Sequence, residues 1–255
     1  MDSFEIRTVQ SGALRIYFAA ISKILKTGTL IISETGIRML KVQDELLLHT
    51  KLLAEKFEEY IVSGEIKLNA DFVNLSKIMK TSSNNDTVTL MKKKGDNFWS
   101  IELRDCDKRK TRTFSIKMHN IEYDQEIYIP PAEFETELTM PTSDFQSMMK
   151  EMKLADSDRL EIISTSAQEL IFQCDGENIM QKYTLGETEN SLEYKQHANK
   201  KIHAVFSYKL LTLCLGFTNL CNLMNMYIKP DYPLVIRYSV ANLGDIKLCF
   251  SPMSD

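Results

Sequence analysis

The chain has 255 residues and a formal net charge of −4, with 44% hydrophobic and 26% charged residues. This is an ordinary globular balance for one or two domains, and no uncharged apolar run is long enough to predict a transmembrane helix. The acidic balance argues against DNA binding over the whole surface of one copy, although it allows a basic stripe on one face.

Short segments of alternating, β-branched or aromatic character predict strands in the first half of the chain. They are Phe4–Val9, Thr29–Ser33, Leu46–Leu52, Tyr60–Leu68, Thr87–Lys92, Phe98–Leu103 and Thr111–Lys117. Apolar residues at helical spacing predict helices over Gly12–Lys26 and Ala70–Thr81. In the first of these, the apolar stripe consists of Leu14, Phe18, Ile21 and Leu25.

A connector is predicted next, over His119–Phe134. The paired prolines Pro130 and Pro131 exclude a central strand there and favour an extended chain. We therefore expect an N-terminal domain over residues 1–118, a connecting loop over 119–134 and a C-terminal domain over 135–255.

The second half repeats the order of the first. A helix is predicted over Thr142–Leu154, with Thr142 or Ser143 as its N-cap, and another over Ser207–Leu215, with Gly216 as its stop. The predicted strands are Glu135–Thr139, Leu160–Ser164, Leu170–Gln173, Met180–Leu185, Ile202–Phe206, Met226–Ile228, Leu234–Val240 and Asp245–Phe250.

Two similar peptides support an internal repeat. Leu30–Ser33 follows the first predicted helix, and Glu161–Ser164 follows the third. The spacing predicts a repeat of about 130 residues, while chance similarity between β-rich segments stays open as the alternative.

No motif indicates catalysis. The glycines form neither a dinucleotide-binding fingerprint nor a P-loop, and the four histidines belong to no zinc or nucleophile motif. We therefore expect a protein that is not an enzyme, with no catalytic residue, no metal and no cofactor.

Basic residues gather on the polar faces of the predicted helices, whereas acidic residues cluster elsewhere. Solvated surface lysines are the alternative explanation, but this segregation favours a functional face. A further basic run, Lys108 to Lys110 with Arg112, is interpreted as a strand with basic residues on one face.

Three segments resemble the proliferating cell nuclear antigen family: Asn69–Leu90, Met140–Met152 and Tyr232–Pro252. The opening FEIRTVQSG fits as well, so the resemblance covers nearly the whole chain in order. The chain resembles a divergent member of this family, from either a cell or a large DNA virus. The resemblance implies an α+β DNA-clamp fold of two similar domains, each with two helices packed on antiparallel sheets, that assemble into a closed trimeric ring.

The resemblance also implies the function and the partners. Such a protein is a sliding clamp and DNA polymerase processivity factor, which encircles double-stranded DNA without sequence specificity and tethers replication and repair enzymes. Its expected partners are two further copies of itself, DNA polymerase and other proteins with short clamp-binding peptides, and an ATP-driven clamp loader, but no membrane. Its expected place is the nucleus, or a viral replication compartment. A subunit of a heterotrimeric, checkpoint-type clamp stays open, as does a β-rich scaffold protein without DNA tethering.

Three groups of residues follow from the resemblance and from the helix faces together. The expected DNA-facing residues are Arg15, Lys23, Lys26, Lys77, Lys80, Lys108, Lys110, Lys150, Lys153 and Lys209. The expected partner-peptide pocket comprises Val42, Leu46, Leu47, Ile127, Ile129, Pro130, Pro233, Phe250, Ser251 and Pro252. The expected subunit interface pairs an edge strand over Arg109–Lys117 with one over Asn178–Leu185 and includes Arg109, Thr111, Thr113, Ile179, Met180 and Tyr183.

Overall fold

The computed structural model describes residues 3–105, 107, 109–118, 132–134, 136–164, 169–186, 193–196 and 201–253. It divides into two compact units, one built mainly from the first half of the chain and one mainly from the second. The segment Asp44–Leu47 belongs to the second unit and Ser239–Ile246 to the first. The predicted domain boundaries stay a prediction, because most of the connector lies outside the described residues.

The first half forms two helices and nine strands. They are β1 (Ser3–Thr8), α1 (Ser11–Ile21), β2 (Thr27–Ser33), β3 (Gly36–Gln43), β4 (Leu46–Leu53), β5 (Glu59–Ser63), β6 (Ile66–Asp71), α2 (Phe72–Met79), β7 (Thr87–Lys92), β8 (Phe98–Arg104) and β9 (Thr111–Lys117). Strand β1 lies between β5 and β7, and β8 and β9 extend that sheet in order. Strand β2 lies between β3 and β6, and all of these pairs are antiparallel.

The second half forms the same series. Its elements are β10 (Thr136–Pro141), α3 (Thr142–Met152), β11 (Arg159–Ser164), β12 (Leu170–Asp175), β13 (Met180–Leu185), β14 (Glu193–Gln196), β15 (Ile202–Ser207), α4 (Tyr208–Leu211), β16 (Leu223–Ile228), β17 (Leu234–Val240) and β18 (Gly244–Phe250). Strand β10 lies between β14 and β16, with β17 next to β16. Strand β11 lies between β12 and β15, and β13 pairs with β12.

The predicted repeat is confirmed by these pairings. Strands β1 and β10 hold the same place relative to their neighbours, and so do β2 and β11. The two similar peptides end at equivalent hairpins, since Ser33 pairs with Gly36 across one and Ser164 with Leu170 across the other. The fold is therefore α+β, with two similar domains that each pack two helices on antiparallel sheets.

The apolar stripes of the helices form the cores. In α1 the predicted stripe is buried, with Leu14, Phe18 and Ile21 all at most 5% exposed. Helix α3 has no side-chain cap, and Thr142 instead donates to the carbonyl oxygen of Cys221 at 2.9 Å, so the predicted N-cap is wrong. A cap contributes about 0.5–2 kcal/mol, whereas each buried large apolar side chain contributes about 1.5–3 kcal/mol. The buried face of α3, which includes Phe145, therefore outweighs the missing cap.

Two element boundaries differ from prediction because of local backbone geometry. The single strand expected over Tyr60–Leu68 is two strands, separated at Gly64, whose φ of 80° lies where side chains with a Cβ are disfavoured. The fourth helix is only one turn long and continues as a 3-10 helix over Thr212–Phe217, so Gly216 does not end it. Among the described residues, no helix combines the length and the apolar character needed to cross a membrane.

Candidate functional site

Exposed lysines lie on the helices and at their ends. Helix α2 turns Phe72, Leu75 and Met79 into the core, which leaves Lys77 exposed on its outer face and Lys80 exposed at its C-cap. Helix α3 turns Phe145 and its methionines inward and exposes Lys150 in its last turn in the same way. Lysines at the C-terminal end of a helix are also favoured by its dipole.

These cations are not neutralised by any carboxylate of the described residues. Lys77, Lys80, Lys150 and Lys209 are all exposed, and none forms an ion pair with any other described residue. Exposed ammonium groups without carboxylate partners can bind phosphate without first breaking an intramolecular pair. The geometry therefore suits a sequence-independent contact with a nucleic acid backbone.

Four of the expected DNA-facing lysines do not lie where the sequence placed them. Helix α1 ends at Ile21, so Lys23 and Lys26 lie in the connection to β2, because a buried Leu25 is equally compatible with a turn. Lys153 begins a 3-10 helix rather than ending α3. Lys110 precedes β9, and Lys108 lies outside the described residues. The lysines at 23, 26, 110 and 153 are exposed.

The predicted basic strand is confirmed only in part: Arg112 lies in β9, Arg109 and Lys110 precede it, and Lys108 lies outside the described residues. The backbone N–H of Arg109 donates to the carboxylate of Asp105 at 2.8 Å, and the N–H of Asp105 donates to the carbonyl oxygen of Lys110 at 3.2 Å. The second bond continues the register of β8 and β9, in which Arg104 pairs with Thr111, by one more pair.

Arg15 is partly engaged within the protein. Its guanidinium donates to the carbonyl oxygen of Ser82 at 2.8 Å and to the side chain of Asn84, in the loop that follows α2. Ser11 also donates to this loop, at the carbonyl oxygen of Ser83, 2.8 Å away. Arg15 therefore anchors a loop with the same group that was expected to face DNA.

The same loop contains an ion pair that the sequence did not reveal. Asp86 accepts from Arg112 of β9 at 2.5 Å and from both the N–H and the hydroxyl of Ser83, and its side chain is 3% exposed. Burial alone would raise the pKa of Asp86, but the bonds from Ser83 and Arg112 together hold that pKa below its ordinary value. Arg112 also donates to the carbonyl oxygen of Thr81. The pair therefore ties β9 to the end of α2.

Two edge strands stand out among the described residues. Strand β9 is the last strand of its five-stranded sheet, and β13 is the last of its four-stranded sheet. The two strands start at Thr111 and Met180, as the residue pattern predicted, whereas Arg109 and Ile179, which the expected interface included, lie in the loops before them. Unpaired strand edges are templates for pairing with another chain.

The two edges differ in their surroundings. Beside β9 lies an open groove of about 500 Å³, lined by Asn69, Asp71, Asn74, Lys77, Ile78, Phe114, Ser115, Ile116 and Lys117. Beside β13 three apolar side chains are exposed: Leu154 (69%), Ile179 (50%) and Met180 (66%). Tyr183 of β13 donates its hydroxyl to the Glu151 carboxylate of α3, and this bond raises the pKa of Tyr183. Thr111 and Thr113 of β9 are exposed.

The residues of the expected peptide pocket differ in exposure. Leu46 and Phe250 are 1% exposed and belong to the core, Leu47 and Pro233 are half-buried, and Val42, Ser251 and Pro252 are exposed. Ile127, Ile129 and Pro130 lie outside the described residues.

The chain end next to this predicted pocket is held in place. The N–H of Ser251 donates to the carbonyl oxygen of Glu45 at 3.0 Å, and that of Met253 donates to Val205 of β15 at 2.8 Å. The segment Ser251–Met253 is therefore held by backbone hydrogen bonds, while the pocket itself stays a prediction.

Two family models match the chain. The model described as "Proliferating cell nuclear antigen, N-terminal domain" matches residues 3–127, and the corresponding C-terminal domain model matches residues 128–253. Among known proteins, a "Probable DNA polymerase sliding clamp 1" of Paramecium bursaria Chlorella virus 1 is 27% identical over 258 residues. That alignment covers 98% of this chain and 97% of the viral protein.

Proposed function

Because the chain belongs to the proliferating cell nuclear antigen family, we propose that three copies close a ring around duplex DNA with the helix lysines on its inner side. The chain is a sliding clamp that acts as a DNA polymerase processivity factor, and it is a scaffold without enzymatic activity. We propose how the chain assembles, what it contacts and which residues make those contacts.

One observation carries the proposed DNA contact: the exposed lysines of α2 and α3 are free of ion pairs among the described residues, in a chain of net charge −4. Lysine contacts to phosphate carry no sequence information, and their strength falls steeply with salt. Weak contacts of this kind let a ring slide, because retention comes from closure around the duplex and not from affinity.

The edge strands support self-assembly. We place β9 of one copy against β13 of the next, so that the exposed apolar side chains beside β13 enter the groove beside β9. Such a head-to-tail contact uses two different surfaces, and it closes into a ring when its rotation fits. Arg109, at the loop before β9, lies at the margin of this contact.

The proposal includes the binding partners and the cellular location. An ATP-driven loader opens the ring, so the hydrolysis of ATP belongs to the loader and not to this chain. DNA polymerase and other enzymes bind through short peptides in the pocket under the connector. The protein acts where DNA is replicated, in the nucleus or in a viral replication compartment.

The DNA contact is tested by charge reversal. Replacing Lys77, Lys80 and Lys150 together by Glu should abolish polymerase stimulation on primed circular DNA, because phosphate attraction becomes repulsion. Because Lys77 also lines the groove beside β9, a variant with only Lys80 and Lys150 replaced by Glu is made as well, and its oligomeric mass by light scattering should stay that of the wild type. The control variant replaces Lys51, Lys56 and Lys201 by Glu, since these lysines are exposed and lie outside the α-helices. Undiminished stimulation by the helix variant would contradict the inner-face assignment.

The peptide pocket is tested at the connector. Replacing Ile127 and Ile129 together by Ala should weaken the binding of a clamp-binding peptide in calorimetry, because aliphatic contacts to the peptide's anchor are lost. A matched variant replaces Val9 and Ile61, which are aliphatic and exposed at 52% and 58%. Equal affinity of the connector variant and the wild type would remove the connector from the pocket.

A further inference from the structure

The hairpin between β7 and β8 presents lysines at its tip. Lys92, Lys93 and Lys94 are consecutive, and the N–H of Asp96 donates to the carbonyl oxygen of Lys93 at 3.2 Å. Gly95 takes a φ of 84° in this turn, which suits glycine at the third position of a tight turn. The turn is therefore fixed, and Lys93 and Lys94 are exposed on it.

An exposed aromatic ring lies next to this turn. Phe98 is 47% exposed, and it is the only phenylalanine of the described residues that is classed with the exposed side chains. In the register of β8 and β9 it lies opposite Lys117, which is exposed as well. Side chains directly opposite each other on one face of a sheet are about 5 Å apart at Cβ. In the fold, Phe98 thus lies between Lys117 on the next strand and the lysines of the turn that precedes it.

The hairpin tip is separate from the end of the sheet where the helices of this unit begin, although Lys117 lines the groove beside β9 together with Lys77. Strands β1 and β7 are antiparallel, with Phe4 opposite Lys92 and Thr8 opposite Val88. Helix α1 starts just after Thr8, so the hairpin tip lies at the other end of the sheet, roughly 15 Å along β7 at 3.3 Å per residue. The two basic surfaces can therefore be altered independently.

The chemistry of the surface favours one kind of ligand. Asp96 is the one carboxylate in the turn, against the ammonium groups of Lys93, Lys94 and Lys117. An acidic peptide would need only the lysines, whereas a single-stranded nucleic acid offers phosphates for the lysines and a base for the face of the ring. Single-stranded nucleic acid therefore accounts for the exposed phenylalanine next to the lysines, whereas an acidic peptide does not.

We propose that Lys93, Lys94 and Phe98 form a binding surface for single-stranded DNA, in which a base stacks on Phe98 and the lysines contact the adjacent phosphates. This goes beyond the clamp function, because it requires neither a closed ring nor a threaded duplex. It gives the protein a contact with the unpaired strand that is independent of the duplex.

The test uses fluorescence anisotropy with a labelled short oligothymidylate and the full-length chain. All variants are made in the Lys77→Glu, Lys80→Glu, Lys150→Glu background, which removes the helix face as a second source of phosphate contacts. Phe98→Ala should weaken binding about five- to hundred-fold, the range for loss of one stacked base. Phe98→Tyr should restore it. Lys94→Gln should reduce the salt dependence by about 0.7 in the log–log slope, as expected for one lost contact to a single strand.

The control replaces Lys51 and Lys201 by Glu and should bind like the background protein, whereas Lys93→Glu with Lys94→Glu should abolish binding. Equal loss in both double variants would overturn the proposal, because net charge alone would then explain it. So would a Phe98→Ala variant with unchanged affinity, or equally tight binding of polyglutamate, which would indicate an acidic protein partner. Since these side chains are exposed, unchanged thermal unfolding is expected for each variant. Failure of this test leaves the polymerase-stimulation result untouched, so the two proposals are judged separately.

Discussion

At the scale of single residues, the pair of Asp86 and Arg112 links the edge strand β9 to the loop after α2. A nearly buried carboxylate is stable only when its acceptor sites are filled, and here Ser83 and Arg112 fill them. Because Arg15 holds the other side of the same loop, a change at Asp86 reaches both the helices and the edge strand.

Asp86→Asn should lower the free energy of unfolding by about 1–3 kcal/mol at neutral pH, because a charged hydrogen-bonded pair is lost. The folded-state pKa of Asp86 is depressed, so its stabilisation is complete above its ordinary value of 3.8 and is lost as the pH falls through the folded pKa. Urea denaturation of both proteins at several pH values measures the difference. Asp156→Asn, at an exposed residue, is the control. A difference between wild type and Asp86→Asn that persists unchanged in strong acid would rule out the ionised pair as its source.

The buried stripe of α1 was predictable, and the Asp86–Arg112 pair was not. The sequence predicts the burial of Leu14, Phe18 and Ile21 because helical periodicity is a local pattern. Asp86 and Arg112 are 26 positions apart, and no local pattern connects them. Arg112 was therefore assigned to a basic run, although its charge is used inside the protein.

At the scale of elements, the two edge strands have the alternation of exposed and half-buried residues expected of strands that await a partner. Both β9 and β13 expose every second residue. In our proposal the groove beside β9 receives the apolar residues beside β13. A charge placed on β13 should therefore weaken the contact between subunits without destabilising the fold of one subunit.

Met180→Glu should dissociate the ring while leaving each subunit folded, because Met180 is 66% exposed in the single chain and would be desolvated in the contact. Light scattering measures the mass, and circular dichroism the fold. Leu223→Glu, at a residue that is 52% exposed in β16, is the matched control and should leave the mass unchanged. If Met180→Glu assembles like the wild type, β13 does not form the contact.

Strand β3 shows why some elements escape sequence reasoning. Of its residues, Ile37 and Met39 are buried while Arg38, Val42 and Gln43 are exposed, so its pattern is too polar to stand out. The ends of helices were misplaced for a related reason, since Leu25 is buried equally well by a turn as by a further turn of helix. Strand β17 was predicted with its observed bounds because apolar and aromatic residues dominate it and most of them are buried.

At the scale of the whole molecule, the internal repeat was the most informative prediction, since it fixed the order of both halves before any contact was known. The proposed sites depend on assembly, which one chain does not contain. The lysines could be found from the sequence, but whether they line a hole depends on how copies meet.

The wild-type protein should have a mass of about 88 kDa, three times the 29.4 kDa of one chain, over a dilution series in light scattering. The contact buries apolar side chains and so should persist on dilution and in moderate salt. A mass that stays that of one chain at every concentration would exclude self-closure and favour a heterotrimeric clamp that needs other subunits.

The two edges of each subunit are different surfaces, so a subunit with one defective edge can still join a wild-type subunit and block closure of the ring. A Met180→Glu subunit still carries an intact β9 edge, so this edge can pair with β13 of a wild-type neighbour. Its own altered β13 then offers no site for a third subunit. In a mixture, one defective copy would therefore spoil a ring of otherwise competent subunits. We expect the loss of polymerase stimulation to exceed the mutant's share of the total protein, as for a dominant-negative allele.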